Sequence, residues 1–177
     1  MRLVTLLVSF AAVLLFVSGA IAGSGSKADS LIVENVTVTK GGTVAVKIDF
    51  VNTIDLGAVT VPLRVKSKGT TIDSVSFSGG RLEYLRAKPV TIAEDKDMVV
   101  FGAICMTEAY IGPGRGHLAT VYLTVPDAVM GTPITIDTVT VHPATLLFTK
   151  SNSLSYVPHF VPGLIGAATL PESDSTK

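Results

Sequence analysis

Apolar residues recur at every second position along most of this chain, which is the spacing of β-strands that bury one face. The clearest example is the segment 43–52, in which Val46, Ile48 and Phe50 share one side while Lys47 lies on the other. A helix would distribute these apolar side chains around its circumference, whereas a strand gathers them on one face. We therefore predict a strand here, with Val46, Ile48 and Phe50 buried in the core.

The same alternation predicts a series of short strands at spacings of about 8–14 residues, with turn residues between them. The segment 98–106 is more continuously apolar, and we expect a central strand that is covered on both faces. Pro62 cannot donate a hydrogen bond to a neighbouring strand, so its strand is expected at a sheet edge or at a bulge. The other predicted strands are 31–38, 59–65, 71–77, 90–93, 117–125, 134–141, 146–149 and 155–161.

No segment has the period of an amphipathic helix, and the length of 177 residues is that of one domain. Many short strands without helices are typical of sandwiches and barrels. The predicted fold class is therefore all-β, with a single β-sandwich (jelly roll) of about nine strands.

The first residues have the order of a secretory signal peptide: Arg2, an apolar run, and small residues at the positions that a signal peptidase reads. The apolar run is shorter than the roughly 20 residues that a membrane-spanning helix needs. We therefore predict a cleaved signal peptide over 1–22, no membrane insertion of the mature chain, and a secreted, periplasmic or cell-envelope location. The rest is expected to comprise a flexible spacer (23–29), the sandwich domain (30–165) and a polar C-terminal tail (166–177).

Positive and negative side chains balance, since 14 Lys and Arg residues stand against 14 Asp and Glu residues. Nucleic acids and anionic membrane surfaces select for a basic excess, so neither is an expected partner. The single cysteine, Cys105, has no partner for an internal disulfide, and we expect it to be a small buried apolar residue. The fold must then be stabilised by packing alone.

The sequence carries no nucleophile elbow, zinc-protease motif or phosphate-binding loop. The spacings of His117, His142 and His159 match no metal-ligand pair. The acidic run 94–97 (EDKD) lacks the pattern of a calcium loop, and we predict a solvated hairpin turn. Residues 35–37 (NVT) fit the acceptor pattern for N-linked glycosylation. We therefore predict no enzyme activity, no catalytic or metal-binding residues and no cofactor.

One loop is the candidate for contact with a partner. It carries Glu108, Tyr110 and Arg115, and Tyr and Arg are common in the energetically important parts of interfaces. The alternative is that its Gly- and Pro-rich segment, 112–116, merely turns the chain. The chain has no tryptophan, so Tyr84 and Tyr110 are the candidates for stacking on a sugar. The binding residues themselves remain unassigned at this stage.

Several segments resemble the strands of cohesin domains. Residues 40–48 (KGGTVAVKI) and 52–58 (NTIDLGA) are similar to the family's glycine turn, its alternating strand and the break that follows. Residues 114–125 (GRGHLATVYLTV) are similar to a later strand with a Leu-Ala-Thr core, and 131–136 (GTPITI) to the next one. Residues 66–72 (KSKGTTI) differ from the family pattern.

This resemblance covers residues 31–161 and implies a jelly roll of about nine strands with a non-catalytic binding role. Cohesins bind dockerin modules and assemble polysaccharide-degrading complexes. The first hypothesis is therefore a secreted binding or scaffold module with a dockerin-type protein partner. The alternatives are a carbohydrate-binding module that contacts polysaccharide directly and a small secreted enzyme.

Export predicts a new amino terminus at Gly23. Mass spectrometry of the protein from the medium or the envelope fraction is expected to find a chain that begins there and lacks residues 1–22. An intact Met1 terminus in the membrane fraction would show that the apolar segment is an anchor instead.

Overall fold

The computed structural model describes residues 29–129 and 132–167. The predicted signal peptide, most of the spacer and nearly all of the expected polar tail lie outside these residues. Among the described residues, no helix is long and apolar enough to cross a membrane. Thirteen strands and one 3-10 turn (Asp127–Val129) make up the regular structure of this part of the chain. The strands are β1 (Ser30–Val33), β2 (Val36–Val38), β3 (Gly42–Asn52), β4 (Leu56–Lys66), β5 (Thr71–Ser76), β6 (Val90–Ile92), β7 (Met98–Ile104), β8 (Gly114–Val125), β9 (Ile134–Thr138), β10 (Leu147–Lys150), β11 (Ser155–Tyr156), β12 (His159–Val161) and β13 (Gly163–Ala167).

The strands form two mixed sheets that pack as a sandwich, which confirms the predicted all-β jelly roll. The five-stranded sheet has the order β12-β1-β3-β8-β5. In the eight-stranded sheet the long strand β4 is central, because β7 pairs along one of its edges while β10 and β9 share the other. Strand β6 extends this sheet beyond β7, and β13 and β2 extend it beyond β9.

A single apolar layer fills the space between the sheets. Val46, Ile48 and Phe50 have no exposed surface, whereas Lys47 is exposed, so the predicted register of β3 is confirmed. Phe50 meets Phe148 of the opposite sheet edge to face, with ring centroids 6.1 Å apart. The long β3–β8 ladder, which pairs residues 42–52 with 125–114, presents this apolar face.

The predicted strand over 31–38 is in fact two strands in different sheets. Strand β1 pairs with β3 in the five-stranded sheet, while β2 pairs in parallel with β13 in the eight-stranded sheet. The chain crosses between the sheets at Glu34 and Asn35. The segment 155–161 likewise splits into β11 and β12, and β13 was not predicted and runs two residues past the expected domain boundary at 165. These splits explain why the strands outnumber the expected nine.

Bulges break the predicted alternation in two strands. In β5 the register shifts at Asp73, so Ile72 is buried but Ser74 is exposed and Phe77 returns to the core. In β8 the register shifts around Leu118, which is fully buried. An extra residue in one strand reverses the side of every residue beyond it. For that reason His117, which pairs with Asp49, lies on the outer face of β8 although Leu118 beside it is buried.

Two expectations about the eight-stranded sheet are also wrong. Strand β7 is central, as predicted, but it is not covered on both faces. Val99, Phe101 and Ala103 face the core, whereas Ile104 on the outer side is 42% exposed. Pro62 lies neither on an edge nor at a bulge. Pro62 pairs with Val100 of β7 on one side, and on the other side it occupies the seam between the stretch paired with β10 and the stretch paired with β9, where β4 has no ladder partner.

The burial of Phe50 against the exposure of Lys47 generates a stability prediction. Phe50→Ala is expected to lower the free energy of unfolding by about 3–5 kcal/mol, because it removes buried apolar surface and leaves a cavity. Lys47→Ala, one residue away on the outer face, is expected to change it by less than about 0.5 kcal/mol. Denaturant titration of both variants provides the measurement. Equal shifts of the two midpoints would mean that the register is wrong by one residue.

Candidate functional site

The outer faces of the two sheets differ in charge. On the five-stranded sheet, neighbouring strands β3 and β8 present Lys47, Asp49, Arg115 and His117. His117 Nδ1 lies 3.6 Å from Asp49 Oδ1, and its Nε2 lies 3.1 Å from the Thr120 hydroxyl. This face is polar across its centre, as expected for a surface in contact with water.

The outer face of the eight-stranded sheet has an uncharged centre. Thr60 of β4 pairs with Gly102 of β7 on one side and with Leu147 of β10 on the other. Val100 and Ile104 are the outward positions of β7 on either side of Gly102. These five residues, Thr60, Val100, Gly102, Ile104 and Leu147, are called the β4–β7 face below.

The middle of the β4–β7 face is hollowed because Gly102 has no side chain. A Cβ atom at this position would overlap the carbonyl oxygen of Val59, so the close approach of β4 and β7 requires glycine. The resulting notch has a volume of about 100 Å³ and is walled by Thr60, Thr91, Val100 and Ile104, among others. The residues that line the notch are uncharged, so the notch is suited to an apolar group.

Ion pairs border one end of the β4–β7 face. Arg64 Nε lies 3.3 Å from Asp97 Oδ2, and Lys66 Nζ lies 2.8 Å from Asp137 Oδ2. Burial raises the pKa of Asp97, and the neighbouring Asp95 adds to the rise while Arg64 opposes it. The segment 94–97 is the turn of the β6–β7 hairpin, as predicted. Because the charges here are paired, they leave the face with no strong field of either sign.

Exposed aromatic and apolar side chains border the other end. Met106 is 70% exposed, Tyr110 54% and Tyr84 50%. The hydroxyl of Tyr84 donates to the carbonyl oxygen of Ala109 at 3.2 Å, so the two segments that carry the tyrosines lie together. The ring of Tyr110 lies beside Gly57 at the start of β4. The two tyrosines singled out in the sequence are thus adjacent surface groups.

Glu108 holds the loop that follows β7 through hydrogen bonds within the protein. Its carboxylate accepts hydrogen bonds from the backbone N–H groups of Met106, Thr107 and Arg86, at 3.0, 3.1 and 3.1 Å. These backbone donors lower the pKa of Glu108 to about 2. The expectation that Glu108 contacts a partner through its side chain does not fit this geometry, because both carboxylate oxygens are engaged within the protein.

Arg115 lies in different surroundings from the other two residues of its predicted loop. It is exposed at the start of β8, which begins at Gly114 and not at residue 117 as expected. Together with Val51, Thr53 and Pro113 it lines a largely apolar cavity of about 590 Å³ at one end of the sandwich. The structure therefore does not gather Glu108, Tyr110 and Arg115 into one contact surface.

A buried polar network shapes that end of the sandwich, and the sequence pattern gave no sign of it. Asn52 is 2% exposed, and its amide donates to the carbonyl oxygens of Ile111 and Gly112 at 3.2 and 2.9 Å. Arg81 Nη1 donates to Asn52 Oδ1 at 2.9 Å, while the guanidinium lies over the Phe50 ring, 4.5 Å from its centroid. These bonds are internal to the protein, so the network positions loops rather than binding a ligand.

The described residues contain no cluster of three or more His, Cys, Asp or Glu side chains that could hold a metal ion. Cys105 is half-buried, and its thiol lies 3.8 Å from the carbonyl oxygen of Leu56. Burial raises the pKa of this thiol, which disfavours the reactive thiolate. It therefore lacks the environment of a nucleophile.

Comparison with known proteins shows which solved structures have a similar fold. No family model matches the sequence, and no curated protein matches it. Among solved structures, the type I cohesin of OlpA from Clostridium thermocellum, in complex with a dockerin, has a TM-score of 0.67 at 14% identity, covering 79% of this chain and 99% of that one. The seventh ScaB type I cohesin of Pseudobacteroides cellulosolvens has a TM-score of 0.68 at 15% identity, covering 84% and 97%. A non-cellulosomal cohesin of the archaeon Archaeoglobus fulgidus has a TM-score of 0.58 at 11% identity, covering 80% and 92%.

The domain is a cohesin-like β-sandwich. The matched structures are covered almost entirely, so the likeness extends over the whole domain and not over a fragment of it. Identities this low define a shared fold and leave the partner of this chain to be argued from its own surface.

The low pKa of Glu108 generates a pH-dependent prediction. A carboxylate whose pKa is lowered by folding stabilises the native state above its unfolded pKa of about 4.3, and that contribution is lost as the pH falls toward 2. Glu108→Gln is therefore expected to lower the unfolding free energy at pH 7 and to lower it much less near pH 2.5. Denaturant midpoints at the two pH values provide the measurement, with Glu94→Gln in the exposed β6–β7 turn as the control. If Glu108→Gln lowered the unfolding free energy equally at pH 7 and at pH 2.5, the assignment of this carboxylate as the group that holds the loop would be contradicted.

Proposed function

We propose that this domain is a non-catalytic binding module that docks a protein partner, of dockerin type, on the β4–β7 face. The observation that carries the proposal is the uncharged, partly apolar centre of that face on a sandwich of cohesin fold. The centres of protein interfaces are depleted of charge and rich in apolar and aromatic side chains. The five-stranded sheet, with its charged outer face, lacks this character.

The border of the face supplies further contacts for a partner. Met106, Tyr84 and Tyr110 are large, exposed side chains beside the end of β7. Exposed aromatic side chains at the edge of an apolar patch contribute strongly to binding when a partner buries them. Ion pairs at the opposite end give a polar rim, which is the usual arrangement around an interface centre.

A binding role without turnover fits the chemistry of the described residues. The thiol of Cys105 has a raised pKa, and His117 is engaged with Asp49 and Thr120 on the polar face. Nucleophilic catalysis needs a nucleophile and a base within hydrogen-bond reach. Cys105 has the Leu56 carbonyl as its neighbour instead of a base.

The proposal includes export of the mature chain, on the strength of the signal-peptide pattern over 1–22. A dockerin-bearing partner would then meet this domain outside the cytoplasm. The domain would act as a docking point for that partner, in the manner of a scaffold component.

Direct binding to polysaccharide is a second candidate, favoured by one observation. Tyr84 and Tyr110 are half-exposed and lie on adjacent segments, as a sugar-stacking pair would require. Pull-down of the purified domain with insoluble polysaccharides tests it. Retention that is lost on combined Tyr84→Ala and Tyr110→Ala substitution, with no binding to any dockerin, would favour this candidate over the protein-binding one.

A matched pair of threonines provides the sharpest mutational test of the docking face. Thr60 and Thr120 are both half-buried, both lie on central strands, and they face outward from opposite sheets. Thr60→Asp places an unpaired carboxylate at the centre of the β4–β7 face, where a partner would have to desolvate it. We expect it to weaken binding to a dockerin module by at least about tenfold, or roughly 1.4 kcal/mol, in isothermal titration calorimetry.

Thr120→Asp makes the identical change on the other face and should alter the affinity by less than about twofold. Thermal denaturation of both variants establishes that each is folded before binding is measured. Loss of binding in Thr120→Asp with retention in Thr60→Asp would assign the partner to the five-stranded sheet and contradict the proposal.

A further inference from the structure

One exposed motif has no role in the proposed docking face. Residues 35–37 (NVT) form the only Asn-x-Ser/Thr pattern among the three asparagines of the sequence. Asn35 lies between β1 and β2, at the point where the chain passes from one sheet to the other. We propose that Asn35 is an acceptor site for an N-linked glycan, and this inference rests on the proposed export of the chain.

The local geometry leaves the reactive nitrogen available. Asn35 and Thr37 are both exposed. Asn35 Oδ1 accepts a hydrogen bond from the backbone N–H of Leu164 at 2.8 Å, which fixes the orientation of the amide. Among the described residues, Asn35 Nδ2 and the Thr37 hydroxyl have no hydrogen-bond partner, so attachment of a sugar to Nδ2 breaks no bond of the folded domain.

The chemistry balances with one co-reactant, a lipid-linked oligosaccharide diphosphate. The Asn35 Nδ2 atom attacks the anomeric carbon of the first sugar, a nitrogen–carbon bond forms, and the bond from that carbon to the phosphate oxygen breaks. The lipid diphosphate leaves, and the amide loses one proton to a base of the transferase. The Oδ1 atom takes no part, and therefore the hydrogen bond from Leu164 survives in the glycosylated protein.

The position also separates the glycan from the docking face. Strand β2 is one end of the eight-stranded sheet, and β9 and β13 lie between it and the central strand β4. Leu164, beside Asn35, is 46% exposed on the outer side of this edge. A glycan at Asn35 would cover that apolar side chain and the edge of β2 that no strand of the described residues pairs with, and such an edge is prone to pairing with other strands.

The chain offers a matched control. Asn152 is also exposed, and its Oδ1 also accepts a backbone N–H, that of Leu154 at 3.3 Å. Its sequence context, Asn152-Ser153-Leu154, lacks the hydroxyl residue that the transferase requires. Leu154→Thr supplies it and creates a second acceptor in a surface loop, which reports whether export and transfer have taken place.

The experiment secretes the full domain from a yeast host behind a yeast leader and measures the intact mass with peptide mapping. The expected result is a glycan on Asn35 in the wild type, lost in Asn35→Gln and in Thr37→Ala and kept in Thr37→Ser. Modification of Asn152 in the Leu154→Thr variant with Asn35 bare in the same molecules would overturn the inference. Because the yeast leader replaces the native one, this result is independent of whether the native signal peptide or the docking face is assigned correctly.

A binding measurement separates the site from the proposed function. Glycosylated and Asn35→Gln forms are expected to bind a dockerin module with affinities within about twofold of each other, since strands β9 and β13 separate β2 from the centre of the docking face. A tenfold or greater weakening by the glycan would contradict the placement of the sugar away from the docking face.

Discussion

The whole domain depends on one apolar layer between two sheets. A single cysteine excludes an internal disulfide, and the described residues contain no α-helix that could cover a sheet from outside. Each strand must therefore present an apolar face inward, as β3 does with Val46, Ile48 and Phe50. This requirement fixes the inner positions and leaves the outer ones free to vary, with charged residues on one sheet and an uncharged centre on the other.

The outer positions of β4 and β7 show what that freedom permits. Gly102 is required by the close approach of the two strands, and its missing side chain opens a notch between Thr60 and Ile104. The surrounding loops are held by internal bonds, with Glu108 accepting from backbone N–H groups and Arg81 bonded to Asn52. A rigid, uncharged surface is suited to binding because little entropy is lost when a partner docks.

The sequence was sufficient for the fold class and for the core face of β3, because a strict period of two admits one interpretation. It was insufficient wherever an extra residue or a change of sheet altered the register, as at Asp73, near Leu118, and at Asn35 between β1 and β2. The outer face of β7 was missed because Val100 and Ile104 are as apolar as the core residues beside them. The sequence of β7 has no charged residue on either side of the strand. This pattern is typical of a strand buried on both faces, but it is equally compatible with a strand whose outer face binds a partner.

The role of the β4–β7 face is tested most directly by methyl nuclear magnetic resonance of the domain during titration with a dockerin module. If the partner docks there, the methyl signals of Val100, Ile104 and Leu147 are expected to shift or broaden, because these side chains lie on the β4–β7 face. The methyl signals of Ile32 and Val51, which belong to strands β1 and β3 of the opposite sheet, should stay in place. Shifts confined to Ile32 and Val51 would contradict docking on the β4–β7 face and place the partner on the five-stranded sheet.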